Sequence, residues 1–378
     1  MRILLITDLY PIHSSNDPKT ILYFVQEWLE SGHTVDIIRA NFIFNTLIRG
    51  KKLFKQQIIS DENSKIYNLN FHTPFLFNVK NKLPKEFSID KYDLVISHMP
   101  SGSILANKLI QNTQKPFVCS VHTSDIEVLT NPLYKFYFAS ELKKAYKNAS
   151  KISARSFVLK EKIEALIPET KGKTFVAYSG IDENFIEEKL FFIKKIQKLY
   201  NTKRLKIATT ASLIKRKNID IIIKALAKFT NYNFELSIIG SGKELRKLTQ
   251  LTKKLNLKNN IKFLNSLKKE AVLNILKETN LFILLSQKET FGIAYLEAMA
   301  KGNLIIATQN DGIDGIIKNE INGFCIQPDE KELQEIIDNI MKLSYIELEK
   351  IIINSFNTIN TYTKSKAAKN YLDSTLII

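Results

Sequence analysis

This sequence predicts an α/β chain of two Rossmann-like, doubly wound domains, and three observations carry the prediction. Short Ile/Leu/Val/Phe runs recur nearly throughout, with helical patterns between them. Strands that are apolar on both faces and alternate with helices build parallel sheets covered on both sides. The runs fall into two series of six. Finally, 378 residues exceed what a single hydrophobic core usually serves, about 250–300 residues.

In the first series, strands are expected at 2–7, 34–39, 92–97, 116–121, 151–154 and 173–178. Helical patterns lie at 19–31, 101–112 and 157–167. The second series predicts strands at 204–210, 233–239, 260–264, 281–286, 303–308 and 323–327. Its helical patterns are 217–230, 243–256, 268–278, 291–301 and 330–343. Near 179–203 the rhythm breaks into charged sequence, which sets expected domains of 1–180 and 181–357. The helix-like stretch 345–378 is too long and polar for one more crossover. Its end, about 358–378, is expected to return to the first domain.

Composition is that of a globular protein, 44% hydrophobic and 25% charged. No stretch approaches the roughly 20 apolar residues of a membrane span. The opening MRILLITDLY is not read as a signal peptide, since its apolar run is short and soon meets Asp8 and Pro11. Cys119 and Cys325 lie far apart in apolar runs and are expected as buried free thiols in a reducing cytoplasm. The net charge of +17 favours an anionic partner, whether phosphorylated substrate, membrane surface or nucleic acid.

Ligands of open α/β sheets bind beyond the carboxyl ends of the strands. That rule directs attention to Asp8–Thr20, His98, His122–Asp125, Ser179–Asp182, Ser212–Lys217, Gly240–Gly242 and Ser286–Gly292, facing a cleft between the domains. Residues 286–302 read SQKETFGIAYLEAMAKG after the apolar run LFILL. A helix starting near Thr290–Gly292 directs unpaired amides and the positive end of its dipole at an anion. Gly292 lets a ligand approach the backbone. Spacing alone leaves two readings open: Glu289 and Glu297 hold the two ends of one ligand, or Glu289 is a helix-start charge and Glu297 a solvated residue.

The block ETFGIAYLEAMAKG closely resembles the E-x7-E element of the retaining GT-B glycosyltransferases, family four in the usual grouping. Its flanks resemble the same family: IIGSGKELRKLTQL, NNIKFLNSLKKEAVLNILKETNLFILLS, LIIATQNDGIDGIIKNEINGFCIQPDE and VAYSGID. The likeness is specific over about 175–330 and looser over 1–175. It implies the GT-B fold and transfer of a sugar from a nucleoside diphosphate donor. It assigns Glu297 to the nucleotide ribose, and Glu289 with the amides of Thr290, Phe291, Gly292 and Ile293 to the donor sugar and phosphates. Gly240 and Gly242 match the family's G-x-G strand end. ASLIKRKNIDIIIKAL resembles the segment that supplies two cations to the diphosphate. Lys217 falls on the family's Lys, while Ser212 stands where an Arg is usual, with Lys215 or Arg216 as substitutes. FVCSVHTSDIEVL resembles the H-g-x-D element, which makes His122 a donor-sugar contact or catalytic support, with Asp125 following.

The chain departs from the family in YPIHSSNDPKT, where a Gly-Gly pair is usual, and at Asp311 and Gly315. No Asp-x-Asp pair and no His/Cys cluster has ligand spacing, so neither metal nor cofactor is expected. The basic and apolar segments 42–59 and 185–206 read either as helix surface plus core or as candidates for an anionic membrane surface, and the family resemblance favours the second. No nucleic-acid module is recognisable.

The expected enzyme is therefore a metal-independent, retaining hexosyl- or N-acetylhexosaminyltransferase, cytoplasmic and peripheral on the membrane. A UDP-sugar is favoured as donor, with a glycan or lipid-linked acceptor in surface polysaccharide or lipopolysaccharide biosynthesis. A catalytically weak GT-B scaffold that binds sugar nucleotide or proteins is the alternative.

Overall fold

The computed structural model describes residues 1–8, 10–11, 20–42, 57–61, 64–71, 83–229 and 233–376. The chain divides into two compact units, Met1–Tyr178 with Lys364–Ile378, and Ser179–Thr363. Each is an α/β unit built on one sheet.

In the first unit the elements run β1 (Arg2–Thr7), α1 (Thr20–Glu30), β2 (Thr34–Phe42), β3 (Gln57–Asp61), β4 (Ser64–Phe71), β5 (Leu94–His98) and α2 (Met99–Ile110). They continue with β6 (Phe117–Val121), α3 (Thr123–Thr130), α4 (Pro132–Asn148), β7 (Lys151–Ala154), α5 (Phe157–Leu166) and β8 (Thr174–Val176). The sheet order is β3-β4-β2-β1-β5-β6-β7-β8. All its pairings are parallel except that of β3 with β4. Alternate residues of β1 feed opposite faces: Leu4 and Ile6 join one core, Ile3 and Leu5 the other.

Two strands exceed the expected six. β3 and β4 form an antiparallel edge hairpin whose strands, QIISD and SKIYNLNF, interrupt short apolar pairs with polar residues. No continuous apolar run marks it. The helices α3 and α4 were likewise not expected.

The second unit contains α6 (Lys189–Thr202), β9 (Leu205–Thr210), α7 (Ile219–Leu226), β10 (Phe234–Ile239), α8 (Leu245–Lys254), β11 (Ile261–Phe263) and α9 (Lys269–Glu278). Then follow β12 (Leu281–Leu284), α10 (Ile293–Ala300), β13 (Leu304–Thr308), β14 (Phe324–Ile326), α11 (Glu330–Lys342) and α12 (Tyr345–Ile359). Its sheet is parallel throughout, in the order β11-β10-β9-β12-β13-β14. That is the doubly wound 3-2-1-4-5-6 order, with its switch point between β9 and β12.

The stretch 345–378 is two helices, α12 and α13 (Lys364–Leu376), and α13 belongs to the first unit. There Ala367, Ala368, Tyr371 and Leu372 join the core of Phe24 and Trp28, and the Trp28 indole N–H donates to the Ala368 carbonyl at 3.1 Å.

The segment 185–206 is not a free apolar surface. In α6, Phe192, Ile196 and Leu199 are buried, and the Phe192 ring meets Phe356 of α12 edge-on at 5.2 Å. Lys195 of α6 donates to the Leu276 carbonyl at 2.9 Å, and burial pulls its amine down to about 7. The companion segment 42–59 lies outside the described residues apart from Phe42 and 57–59. Both cysteines are free thiols. Cys119 is buried as expected, whereas Cys325, on the edge strand β14, is partly exposed.

Candidate functional site

The switch point of the second sheet is built from four turns that leave β9, β10, β12 and β13 at their carboxyl ends. After β9 the chain makes a 3-10 turn at Lys215–Lys217 and enters α7 through Asn218 in the left-handed conformation. The Asn218 side-chain amide donates to the Leu285 carbonyl at 2.7 Å, which ties this turn to the end of β12. Arg216 does the same from outside, donating to the Gln287 carbonyl at 3.1 Å while the Gln287 amide donates back to its carbonyl at 2.8 Å.

These ties bring Lys217 and Glu289 together. Lys217 is buried and forms an ion pair with Glu289 Oε2, which also accepts the Ser286 hydroxyl at 3.1 Å. The Arg216 guanidinium stands 3.8 Å from the same oxygen. The backbone amide of Glu289 is held by both oxygens of Asp311, at 2.9 and 3.1 Å. Asp311, noted in the sequence only as a departure from a glycine, thus pins the site from the β13 turn. Gly312 beside it has no room for a side chain: a Cβ would stand 2.6 Å from the Glu289 carbonyl oxygen.

The helix at the centre starts at Ile293, two residues later than expected, with Gly292 as its N-cap at φ 96°. A Cβ on Gly292 would strike the Tyr295 ring at 2.6 Å, so both conformation and space demand glycine. Phe291 is buried in the core. The amides freed by helix geometry are therefore those of Ile293 and Ala294, with the helix dipole behind them. Thr290 lies between Glu289 and this cap, partly exposed.

Glu297, one turn into α10, is 5% exposed, which excludes the reading of it as an ordinary solvated residue. It forms an ion pair with Lys269 at the start of α9. Lys269 is a member of the site that sequence reading missed. Its exposed position in a lysine-rich stretch carried no signal.

Gly240 and Gly242 have a packing reason that sequence did not supply. A Cβ on Gly240, at φ 143°, would lie 1.8 Å from the Ala211 carbonyl oxygen, and one on Gly242 would lie 2.3 Å from that of Leu213. Their turn instead hydrogen-bonds with the β9 turn, Leu213 N–H to the Ser241 carbonyl at 2.9 Å. Ser212 sits exposed in that β9 turn, beside exposed Lys215 and Arg216.

A second cluster lies in the first unit. His98 ends β5 and His122 follows β6, and His98 Nδ1 meets His122 Nε2 at 3.0 Å. His98 Nε2 lies 3.2 Å from the Ser120 hydroxyl. Ser120, Ser153 and Tyr371 of α13 close a ring of hydroxyls at 2.6, 2.9 and 2.9 Å. The three hydroxyls and the two imidazoles thus form one continuous buried hydrogen-bonded network. Burial, followed by the charge of Arg155, pushes His122 down to about 3, and burial holds His98 well below its ordinary range. Both rings are neutral at neutral pH.

Asp125 accepts the His122 backbone N–H at 2.9 Å and the Tyr146 hydroxyl at 2.8 Å. Burial raises it to about 7 against those bonds. The contact between His98 and His122 was not foreseen, since the sequence marked each only as a residue at a strand end. Asp8, at the β1 end, accepts from Ser101 at 3.2 Å.

No helix among the described residues is long and apolar enough to cross a membrane.

Two family profiles match the chain: "Glycosyltransferase Family 4" over residues 19–185 and "Glycosyl transferases group 1" over 191–357. An uncharacterised glycosyltransferase of Methanocaldococcus jannaschii is 27% identical over 313 residues, 79% of this chain and 78% of that protein. The N-acetyl-alpha-D-glucosaminyl L-malate synthase of Bacillus anthracis is 25% identical over 315 residues, covering 79% and 77%. The crystal structure of Anabaena HepE in complex with UDP shares the fold, with a TM-score of 0.68, 18% identity and 99% of each chain covered.

Proposed function

The chain belongs to the GT-B glycosyltransferases of the family 4 type, and from that premise we propose that it transfers a sugar from a nucleoside diphosphate sugar, preferably a UDP-sugar, to a glycan or lipid-linked acceptor. The observation that carries this reading is one juxtaposition within the second unit. A buried Lys217 and a paired Glu289 stand beside the start of α10, and a buried Glu297 lies one turn further on.

In this proposal the pyrophosphate lies over the Ile293 and Ala294 amides. Its charge draws Lys217 from Glu289, and Glu289 is released to accept hydroxyls of the donor sugar. Lys217 then neutralises the leaving diphosphate as its bond to the anomeric carbon breaks. Arg216 supplies the second cation that Ser212 does not. Glu297, whose charge Lys269 balances, accepts the vicinal ribose hydroxyls. Transfer is with retention: the acceptor hydroxyl attacks from the face the diphosphate leaves, and a diphosphate oxygen takes its proton.

The HepE structure, solved with UDP and with UDP-glucose, supports the preference for uridine. Surface polysaccharide or lipopolysaccharide assembly is the proposed setting. The test is release of nucleoside diphosphate from UDP-, GDP- and ADP-sugars by the purified chain, with thermal shift as the binding readout. Neither binding nor release with any donor would overturn the reading. A scaffold that binds without turnover is the second reading, favoured by Ser212 at the usual arginine position. Saturable donor binding with no release, across glycan and lipid-linked acceptors, would establish it.

A further inference from the structure

The helix α4 is solvent-covered at its start in an unusual way. Every residue from Asn131 to Tyr137 is exposed, and four of them are large apolar or amphipathic side chains: Leu133, Tyr134, Phe136 and Tyr137. Phe136 is 84% exposed and Leu133 64%. At about 100° per residue these four fall on one arc of roughly 160°. That arc points away from Ala139, Leu142, Ala145 and Tyr146, the residues by which α4 joins the core. No described residue covers it.

Further along α4 the same outward arc carries Lys144 and Lys147, with Lys143 at its margin. The acid within this stretch, Glu141, is paired with Lys144 at 2.8 Å, and Lys147 reaches Glu169 at 2.6 Å. Between Glu127 and Glu141 the sequence has no acidic residue. One helix face therefore passes from an apolar, tyrosine-flanked end to a basic end, on a chain of net charge +17.

We propose that this face of α4 docks the protein on an anionic lipid bilayer, with Leu133 and Phe136 entering the headgroup–acyl boundary. Tyr134 and Tyr137 then lie at headgroup level, where amphipathic rings are most stable. The lysines meet lipid phosphates within a screening length of the surface. A helix that docks in a protein groove repeats its apolar anchors at i, i+3/i+4 and i+7 along its length. Here they stop after two turns and lysine replaces them, the order that a bilayer interface favours. This surface belongs to the first unit, and the proposal does not depend on the activity assigned to the second.

The experiment uses the full chain and vesicles of phosphatidylcholine with or without phosphatidylglycerol. Wild-type protein is expected to sediment with the anionic vesicles, weakly with neutral ones, and less as salt rises. The double variant L133S/F136S is expected to lower vesicle binding at least about tenfold while keeping the wild-type melting temperature, because both side chains are exposed. Phe136→Trp provides a direct readout. The native Trp28 is the sole tryptophan and is buried, so a blue shift on adding anionic vesicles reports insertion at position 136. Failure of the wild type to bind anionic vesicles, undiminished binding by L133S/F136S, or an unshifted Phe136→Trp spectrum would each overturn the proposal. So would a lipid-free dimer that L133S/F136S dissociates, which would assign the face to a second copy of the chain.

Discussion

Lys217 and Glu289, 72 residues apart in sequence, form an ion pair where the strand order of the second sheet reverses. The pair exists because Asn218 and Arg216 lash the β9 turn to the β12 turn. If Lys217 serves the leaving diphosphate, Lys217→Ala lowers kcat by about 10²–10³-fold, the usual effect of removing one such group. Ser286 and Arg216 still attend Glu289 in this variant, so the fold survives. Initial rates of nucleoside diphosphate release, with circular dichroism as control, check both statements. A rate within a few-fold of wild type removes Lys217 from the mechanism.

Glu297→Gln keeps the shape of the side chain and removes the charge that Lys269 balances. Loss of charge-assisted hydrogen bonds to ribose hydroxyls is expected to weaken nucleotide binding by roughly 10–100-fold. The effect should fall on the donor KM more than on kcat, because the ribose is remote from the breaking bond. Titration calorimetry with UDP measures it, and unchanged affinity would reassign Glu297 to a structural role.

Gly240→Ala tests the turn rather than the ligand. The new methyl would meet the Ala211 carbonyl at a separation no atoms tolerate, in a backbone conformation that disfavours side chains. The β9 and β10 turns must separate, with a loss of roughly 2–4 kcal/mol. Denaturant unfolding gives the number. Stability equal to wild type would show that the two turns are not in contact in solution.

The histidine pair predicts a pH dependence. His98 and His122 are held neutral in the fold and have an ordinary value of 6.5 when exposed. Their contribution to stability is therefore present above about pH 6.5 and lost as pH falls, because the unfolded chain takes up the protons first. Each adds about 1.4 kcal/mol per pH unit to the acid-side slope. Asp125 runs the other way: raised to about 7, its contribution is present below the ordinary carboxylate range and lost as pH rises through 7. In His98→Gln the fall in stability between pH 6.5 and 5 should shrink by about one histidine's share. An unaltered slope would mean that His98 is protonated in the fold.

Much of the fold was legible because the strands that line the two switch points are buried on both faces. β1, β5 and β12 read as largely apolar runs for that reason. The β3–β4 hairpin sits at a sheet edge, mixes polar with apolar residues, and left no such mark. α4 was hidden for the opposite reason. Its first turns expose apolar side chains, so the periodicity that announces a helix facing a core is broken.

At the candidate site the residue types at strand ends were visible, but their partners were not. Sequence order reveals that Glu289 lies before a helix and that Lys217 follows a strand. It does not reveal that Lys217 reaches Glu289, that Asp311 clamps the Glu289 amide, or that Lys269 meets Glu297.

By itself, then, the sequence determined the secondary elements with apolar periodicity and the α/β class, since burial preference acts residue by residue along the chain. Only the tertiary structure decided which charges neutralise one another, and which way His122 turns. Ion pairs and hydrogen bonds depend on distances of a few ångströms between segments tens or hundreds of residues apart. Those distances come into being only when the parallel strands are aligned side by side.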